Sequence, residues 1–289
     1  MVHSEGMFKF VIMLHKIKIY LIAALATISI GMRAEEPEEN YYSLMGDADK
    51  AISDGKWDEA EDLLRRAMRK EPSNPSNVLL LSNLGMVQFY DGRDNEAIAT
   101  LTDAHNIAPA SVTVLMNRAR VYTSTGQPDL AVEDYSRVIR LDSTLTEPRF
   151  YRAMLRLNAR KIQEASADID TLAMMAPSDR LTNVAQATVL MAKADFKAAI
   201  PHLSTAIKLQ PDASYYSSRA LCYLYTDDPA AAADDIAHGI ELDPTDGELY
   251  LYRAVLNKMR YRPDDAKADA EKAVKFGVNP ALAKALLGD

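Results

Sequence analysis

The hydrophobic and polar positions of this chain alternate with the period of an amphipathic α-helix, in short runs separated by turn residues. An alanine recurs within these runs, and the residues four and seven positions after it are apolar or small. Such offsets place the apolar residues on one face of a helix. The marker alanines are Ala60, Ala97, Ala131, Ala165, Ala199, Ala232 and Ala266.

The marker alanines show that one unit is repeated seven times, because their spacings are 37, 34, 34, 34, 33 and 34 residues. Twelve residues before each marker lies another small residue, as at Ala48 and Gly85. Twelve residues after it lies a proline in five copies, as at Pro72 and Pro109. Each copy therefore predicts two antiparallel helices, A and then B, which cross where small residues let the backbones approach.

This pattern resembles the tetratricopeptide repeat (TPR), a helix–turn–helix unit with a period of about 34 residues. The best matches are Trp57–Ala60, continued by Ala67 and Pro72, and Asn83–Gly85 in the next copy. The resemblance covers about residues 41–278. It implies an all-α fold, a right-handed α-solenoid of seven TPR helix pairs with a short C-terminal capping helix.

The repeats also predict the domain organisation. The solenoid occupies residues 41–289 and follows an acidic linker at residues 35–40. The first spacing, which is longer than the others, predicts an extended loop around Pro72–Pro75, and Asn279 followed by Pro280 predicts the start of the capping helix. The predicted repeats are 41–74, 78–111, 112–145, 146–179, 180–212, 213–246 and 247–278, with the capping helix at 279–289.

Residues 1–34 predict a secretory signal peptide. Lys16 and Lys18 precede an apolar run at residues 19–30, which is shorter than the roughly 20 apolar residues of a membrane-spanning helix. Cleavage after Gly31 and cleavage after Ala34 both fit the pattern, and an uncleaved signal anchor is the alternative. We therefore expect an exported protein of the periplasm or cell envelope, or one that contacts the membrane only through residues 1–34.

Composition and charge narrow the classes of function. The 289 residues carry a formal net charge of −8, and 48% of them are hydrophobic, 26% charged and 7% aromatic. This balance excludes disordered and collagen-like proteins and disfavours an all-β fold. The negative charge also disfavours a nucleic-acid partner, because phosphate binding requires clustered lysine and arginine. We expect a protein or peptide partner instead.

The sequence contains no recognisable catalytic or metal-binding constellation. Beyond the signal segment its histidines are His105, His202 and His238, which lie in different repeats and lack a second ligand at zinc spacing. Cys222 is the only cysteine, so no intrachain disulfide can form, and its apolar neighbours indicate a small buried hydrophobe. We therefore predict a protein that is not an enzyme and has no cofactor and no metal.

The resemblance implies that the A helices line a concave groove for a partner. The side chains at the groove positions are rich in methionine and tyrosine, with a few amides, which suits an extended or helical peptide. A stripe of this kind is also compatible with simple helix packing. The candidate residues are Asn83, Met86, Tyr90, Met116, Asn117, Arg120, Phe150, Tyr151, Met154, Asn158, Tyr225 and Tyr252.

The groove does not have the carboxylate clamp with which some TPR co-chaperones grip a peptide C-terminus. Asn83 and Asn117 occupy one matching position, but the basic residues of the clamp are missing. Arg120 is a cation on the groove side and is a candidate anchor for a single carboxylate.

Two functions are compatible with these features. The leading hypothesis is a non-enzymatic protein–protein interaction scaffold of the cell envelope, which binds a peptide or protein partner on the concave A-helix face. The alternative is a membrane-tethered structural subunit of an envelope or secretion assembly, in which residues 1–34 are retained.

Overall fold

The computed structural model describes residues 39–287, and all regular structure in this range is helical. The predicted signal segment at residues 1–34 and linker residues 35–38 lie outside the described residues. The helices are α1 (Tyr41–Ser53), α2 (Trp57–Lys70), α3 (Asn77–Tyr90), α4 (Asp94–Ile107), α5 (Val112–Ser124), α6 (Pro128–Leu141), α7 (Glu147–Asn158), α8 (Ile162–Met175), α9 (Arg180–Ala192), α10 (Phe196–Leu209), α11 (Ala213–Tyr225), α12 (Pro229–Leu242), α13 (Gly247–Met259), α14 (Pro263–Lys275) and α15 (Pro280–Leu287).

The described chain divides into two compact units. The N-terminal unit, residues 39–143, contains α1–α6, and the C-terminal unit, residues 144–287, contains α7–α15. Helices A and B alternate, so the N-terminal unit has three pairs and the C-terminal unit has four, followed by α15, which contacts α13 and α14. The all-α fold of consecutive helix pairs with a short final helix is therefore confirmed.

The helix bounds fall close to the predicted repeat limits. Helix α3 begins at Asn77, one residue before the predicted start of the second repeat. The loop that separates α2 from α3 spans residues 71–76, and Asn77 Nδ2 donates to the Glu71 carbonyl at 2.7 Å across it. Asn279 Oδ1 accepts a hydrogen bond of 2.8 Å from the Ala281 amide, as expected for the N-cap of α15.

Small residues at the helix crossings allow close packing in the N-terminal unit. Ala48, Ala60 and Ala67 are fully buried between paired helices. At Gly85 an added Cβ would lie 2.6 Å from Cγ of Leu101, so even alanine would force Leu101 to move. The repeat period of the sequence therefore reflects close backbone approaches that only small residues permit.

The core of the C-terminal unit combines these small residues with larger ones. Phe150, Met154 and Leu172 are buried in one cluster, and Leu249 lies in a second. Gly239 replaces a bulkier packing residue of the repeat pattern, and an added Cβ there would lie 2.7 Å from Cδ1 of Leu249. The Leu249 side chain therefore fills the space that Gly239 leaves.

Each A–B turn consists of three residues, and the middle residue has a positive φ. This left-handed conformation ends helix A abruptly and favours glycine, because a Cβ is strained there. The N-terminal unit has Gly55, Gly92 and Gly126 at this position, whereas the C-terminal unit has Arg160, Ala194, Asp227 and Tyr261. The two units thus form the same turn with different residue types.

Pro201 lies inside a helix B. Helix α10 runs without interruption from Phe196 to Leu209, and Pro201 occupies its second turn. A proline there removes one helical hydrogen bond, because it has no N–H to donate. The carbonyl of Pro201 accepts a hydrogen bond of 3.0 Å from Thr205 Oγ1.

Candidate partner-binding face

The twelve predicted face residues all lie on A helices. Six of them lie on α3 and α5, which contact each other within the N-terminal unit. The other six lie in the C-terminal unit, with four on α7 and one each on α11 and α13. Helices α11 and α13 contact each other. We therefore describe the face separately in each unit.

Four of the twelve residues are buried and pack inside the units. Phe150 and Met154 are at most 1% exposed and belong to the cluster that includes Ile169. Met86 and Tyr252 are also buried, at 8% and 7% exposure. Sequence periodicity could not separate them from accessible residues, because an A helix is apolar both toward its neighbours and toward a groove. These four side chains support the face without being available to a partner.

The accessible part of the face in the N-terminal unit is largely polar. Asn83, Tyr90, Met116, Asn117 and Arg120 are half-buried on α3 and α5. Asn117 Nδ2 donates to the hydroxyl of the buried Ser82 at 3.0 Å, which joins α5 to α3. One of the two matching amides is therefore already engaged within the unit.

In the C-terminal unit the accessible residues are Tyr151, Asn158 and Tyr225. Tyr151 and Asn158 are half-buried, whereas Tyr225 is 55% exposed at the end of α11. In the part of the chain that the structure describes, no donor reaches the buried Oδ1 atom of Asn158. This face therefore combines an exposed aromatic ring with an amide oxygen that accepts no hydrogen bond from the described residues.

Two aromatic stacks occupy equivalent positions in the two units. Trp57 begins α2 and stacks on Tyr90 at the end of α3, with ring centroids 5.5 Å apart. Phe196 begins α10 and stacks on Tyr225 at the end of α11, with centroids 4.1 Å apart and an interplanar angle of 4°. The sequence indicated both tyrosines but not their partners. An aromatic as the first residue of helix B, where three other repeats have proline, was the available signal.

Charged pairs that the sequence analysis missed join helix A to helix B. Arg219 Nε and Nη2 donate to the two carboxylate oxygens of Asp235 at 2.8 and 2.7 Å. Such bidentate bonds offset the cost of removing both charges from water. The signal in the sequence is an arginine just before the small residue of helix A and an aspartate three residues after the marker alanine. The same pair recurs as Arg118–Asp134, Arg152–Asp168 and Arg253–Asp269.

The fifth repeat has Gln186 and His202 at these two positions. His202 Nδ1 lies 3.2 Å from Oδ1 of Asn183, and a ring protonated at Nδ1 donates a hydrogen bond there. Burial lowers the pKa of His202. The pKa of His105 in the N-terminal unit is also lowered, first by burial and then by nearby arginines. Both environments favour the neutral imidazole.

Cys222 is fully buried, and this burial raises the pKa of its thiol to about 12. Its predicted role as a small buried hydrophobe is therefore confirmed. Within residues 39–287 the structure contains no group of three or more histidine, cysteine, aspartate or glutamate side chains arranged to hold a metal ion. None of the helices described in that range has the length and apolar character needed to cross a membrane.

Family models of the tetratricopeptide repeat match residues 41–76, 112–145 and 184–247. Proteins built from these repeats are generally non-enzymatic interaction scaffolds. The human mitochondrial import receptor subunit TOM34 is 24% identical over 251 residues, which cover 71% of this chain and 81% of that protein. DnaJ homolog subfamily C member 3 from Rattus norvegicus is 24% identical over 189 residues, which cover 60% of this chain but only 38% of that protein.

Solved structures share this architecture. A tetratricopeptide repeat protein from Parabacteroides merdae has a TM-score of 0.70 and 27% identity, with 86% of this chain and 97% of that chain covered. The pilF protein of Pseudomonas aeruginosa has a TM-score of 0.61 at 15% identity, covering 73% of this chain and 96% of that one, which shows similarity of fold alone. The chain therefore carries tetratricopeptide repeats, and its described residues fold as consecutive TPR helix pairs.

Proposed function

We propose that this protein is a non-enzymatic scaffold of the cell envelope that binds a protein or peptide partner on its A-helix face. The observation that carries the proposal is the exposure of Tyr225, a residue that is 55% exposed and lies among other accessible residues of the A helices. An exposed aromatic side chain with a polar tip is well suited to anchor a partner.

The relatives support the class of function. TOM34 is, by its name, a subunit of a mitochondrial import receptor, and the similarity extends over most of both proteins. A repeat array that presents side chains along several A helices offers an extended surface rather than a closed pocket. We therefore assign protein recognition to this surface and no chemical step.

The assignment to the envelope depends on the pattern of residues 1–34. N-terminal sequencing of the exported protein distinguishes a released scaffold from a membrane-tethered structural subunit. A first residue at Met32 or Glu35 supports the released form, whereas a first residue at or before Met13 supports the tethered form.

Photo-crosslinking tests the binding face directly. A photoreactive amino acid is introduced singly at Asn83, Asn158 or Tyr225, which are accessible on A helices. Matched controls carry it at Asp103 or Asp170, which are exposed on B helices. We expect discrete crosslinked proteins only from the A-helix positions. Crosslinks that form only from the B-helix positions would place the partner on the wrong face and contradict the proposal.

The buried residues of the face are unsuitable for this test. A charged substitution at Met154, which is 1% exposed, would place a charge in the core and unfold the repeat. Loss of partner binding in such a variant would therefore report on stability rather than recognition.

A further inference from the structure

The A–B turns of the C-terminal unit carry exposed cations that have no ion-pair partner. Within the described residues, no carboxylate oxygen lies within 4.0 Å of the charged nitrogens of these side chains. Because successive helices of the unit are antiparallel, the turns lie at one end of its helix pairs. We call this end the basic turn edge. Its cations are Arg160, Lys161, Lys193, Lys197, Arg260 and Arg262.

The cations of the N-terminal A–B turns are instead neutralised locally. Lys56 lies 3.7 Å from Asp54 and 3.3 Å from Glu59. Arg93 reaches Glu61 at 2.6 Å and Asp91 at 2.7 Å. The unpaired cations of the C-terminal turns are therefore not a general consequence of this type of turn.

Exposed apolar side chains accompany the cations at the same edge. Tyr225 and Met259 are the last residues of their A helices and are 55% and 49% exposed. Tyr261 is 95% exposed with a φ of 57°, and it lies between Arg260 and Arg262. Neither the strained backbone nor the exposed ring of Tyr261 is explained by packing within the unit.

The charges form two groups rather than a continuous basic surface. Arg160, Lys161, Lys193 and Lys197 lie at the first two A–B turns of the unit, where Lys193 and Lys197 flank Phe196, on which Tyr225 stacks. Arg260 and Arg262 flank Tyr261 in the last turn.

Exposed carboxylates lie at the same edge: Asp195 in the first group, Asp227 and Asp228 in the turn between the groups, and Asp264 and Asp265 directly after the last turn. Asp195 and Asp228 accept hydrogen bonds of 3.1 and 3.0 Å from the Ala198 and Ala231 amides, and Glu164 is paired with Arg156 at 3.4 Å. An exposed aromatic ring therefore lies at each group, and the first group carries the excess of positive charge, because Asp264 and Asp265 balance Arg260 and Arg262.

We propose that the basic turn edge of the C-terminal unit binds an acidic peptide segment that also carries apolar side chains. The carboxylates of the segment meet the turn cations, and its apolar side chains contact Tyr225 and the Met259–Tyr261 region. The excess positive charge of the first group, at Arg160, Lys161, Lys193 and Lys197, favours an acidic segment. The net charge of −8 repels an extended anionic surface such as a membrane or a nucleic acid. The inference deepens the proposed function and rests on it.

The test measures the binding of a fluorescein-labelled peptide of repeated Glu-Leu-Ser triplets to the full-length protein by fluorescence anisotropy. In two matched peptides, glutamine replaces every glutamate or serine replaces every leucine. The charge variant combines Arg160→Glu, Lys193→Glu and Lys197→Glu. Its control reverses three exposed cations away from the edge, Lys70→Glu, Lys208→Glu and Lys284→Glu, so that the net charge changes equally.

We expect the charge variant to bind the Glu-Leu-Ser peptide at least about tenfold more weakly, and the control variant to bind it nearly normally. Both altered peptides should also bind more weakly. Tyr225→Ser should weaken binding, whereas Tyr42→Ser, at a tyrosine that is 73% exposed in the N-terminal unit, should not.

Four results would overturn the inference. The charge variant and its control would bind the peptide equally well if only net charge mattered, and the glutamine peptide would bind as well as the Glu-Leu-Ser peptide if only apolar contact mattered. The third result is that the unaltered protein binds phosphatidylglycerol vesicles but not the peptide, and that the charge variant does not bind the vesicles. The edge would then be a membrane contact. Failure of peptide binding with retained crosslinking from the A helices would refute the acidic segment but leave the proposed function intact.

Discussion

In the N-terminal unit every A–B turn places glycine at its left-handed residue, whereas the C-terminal unit places four residues with side chains there. The cations near these turns also differ in the ion pairs that they form. Arg93 contacts three carboxylates, while Arg160 and Arg262 contact none among the described residues. The same helix–turn–helix geometry is thus combined with two different surfaces.

This difference separates what the fold requires from what it tolerates. The turn needs a left-handed residue to end helix A, and glycine meets that need without strain. A side chain at the same position costs about 1–2 kcal/mol, so Arg160 and Tyr261 do not serve the turn itself. Residues that reduce stability at an exposed position are typical of binding surfaces.

The largest expected effect concerns the charged pairs inside the repeats rather than those at the turns. Asp235→Ala leaves the guanidinium of Arg219 without its carboxylate in a site where the two side chains are 5% and 18% exposed. We expect a loss of about 3 kcal/mol in the free energy of unfolding. Lys56→Ala, which removes an exposed pair, should cost less than about 1 kcal/mol. Urea unfolding followed by circular dichroism measures both, and equal losses would contradict this ranking.

A second prediction tests whether the two units pack in the same way. Gly85→Ala and Gly239→Ala each place a Cβ within 2.7 Å of a leucine side chain and should cost about 1–3 kcal/mol. Calorimetry or urea unfolding measures the losses. Leu249→Ala added to Gly239→Ala relieves the clash, so the double variant should lose less than the sum of the two single losses. Full additivity would show that the clash is absent.

Substitutions at the left-handed turn residue should change the stability of the two units in opposite directions. Gly92→Ala forces a Cβ into the left-handed region and should destabilise the N-terminal unit by about 1 kcal/mol. Tyr261→Gly relieves that strain and should stabilise the C-terminal unit by a similar or smaller amount, because glycine also gains freedom in the unfolded chain. Thermal unfolding of the two variants measures both changes in stability. Stabilisation by both substitutions, or by neither, would remove the proposed difference between the turns.

The smallest expected effect is a pH dependence shared by both units. Burial lowers the folded-state pKa of His202 and of His105 below the reference value of 6.5. The unfolded chain then binds more protons, so stability is lost as the pH falls through 6.5 toward the folded-state pKa. His202→Gln should flatten this loss for the C-terminal unit, and His105→Gln for the N-terminal unit.

The two units can be followed separately in that titration. Trp57 is the only tryptophan and lies in the N-terminal unit, so its fluorescence reports that unit while circular dichroism reports both. This matters because repeat arrays need not unfold in one step. An unchanged pH profile in both histidine variants would mean that neither ring contributes.

The repeat spacing predicted the fold because it is a direct consequence of helix packing. Alanines such as Ala60 and Ala199 mark crossings in which a larger residue does not fit, and they are fully buried. The turns were only partly predictable. A glycine between two helices, as at Gly92, indicates a left-handed residue. Nothing in the local sequence indicates that Tyr261 has the same conformation.

The candidate face was harder to predict than the fold. Tyr225 and Met154 both occupy groove positions in the repeat, yet one is 55% exposed and the other 1%. The difference depends on which neighbouring helix covers each residue, and helical periodicity does not contain that information. The pairing of Arg219 with Asp235 is likewise a tertiary contact, although its fixed spacing makes it recognisable once the repeats are aligned.

Hydrogen exchange of the full-length protein, with and without the Glu-Leu-Ser peptide, tests the central claim most directly. The account predicts that the peptide slows exchange at the three A–B turns of the C-terminal unit that carry cations, residues 159–161, 193–195 and 260–262, and at the helix ends beside them. It predicts no change at the turns of the N-terminal unit, residues 54–56, 91–93 and 125–127. Protection confined to the N-terminal turns, or spread equally over both units, would contradict it.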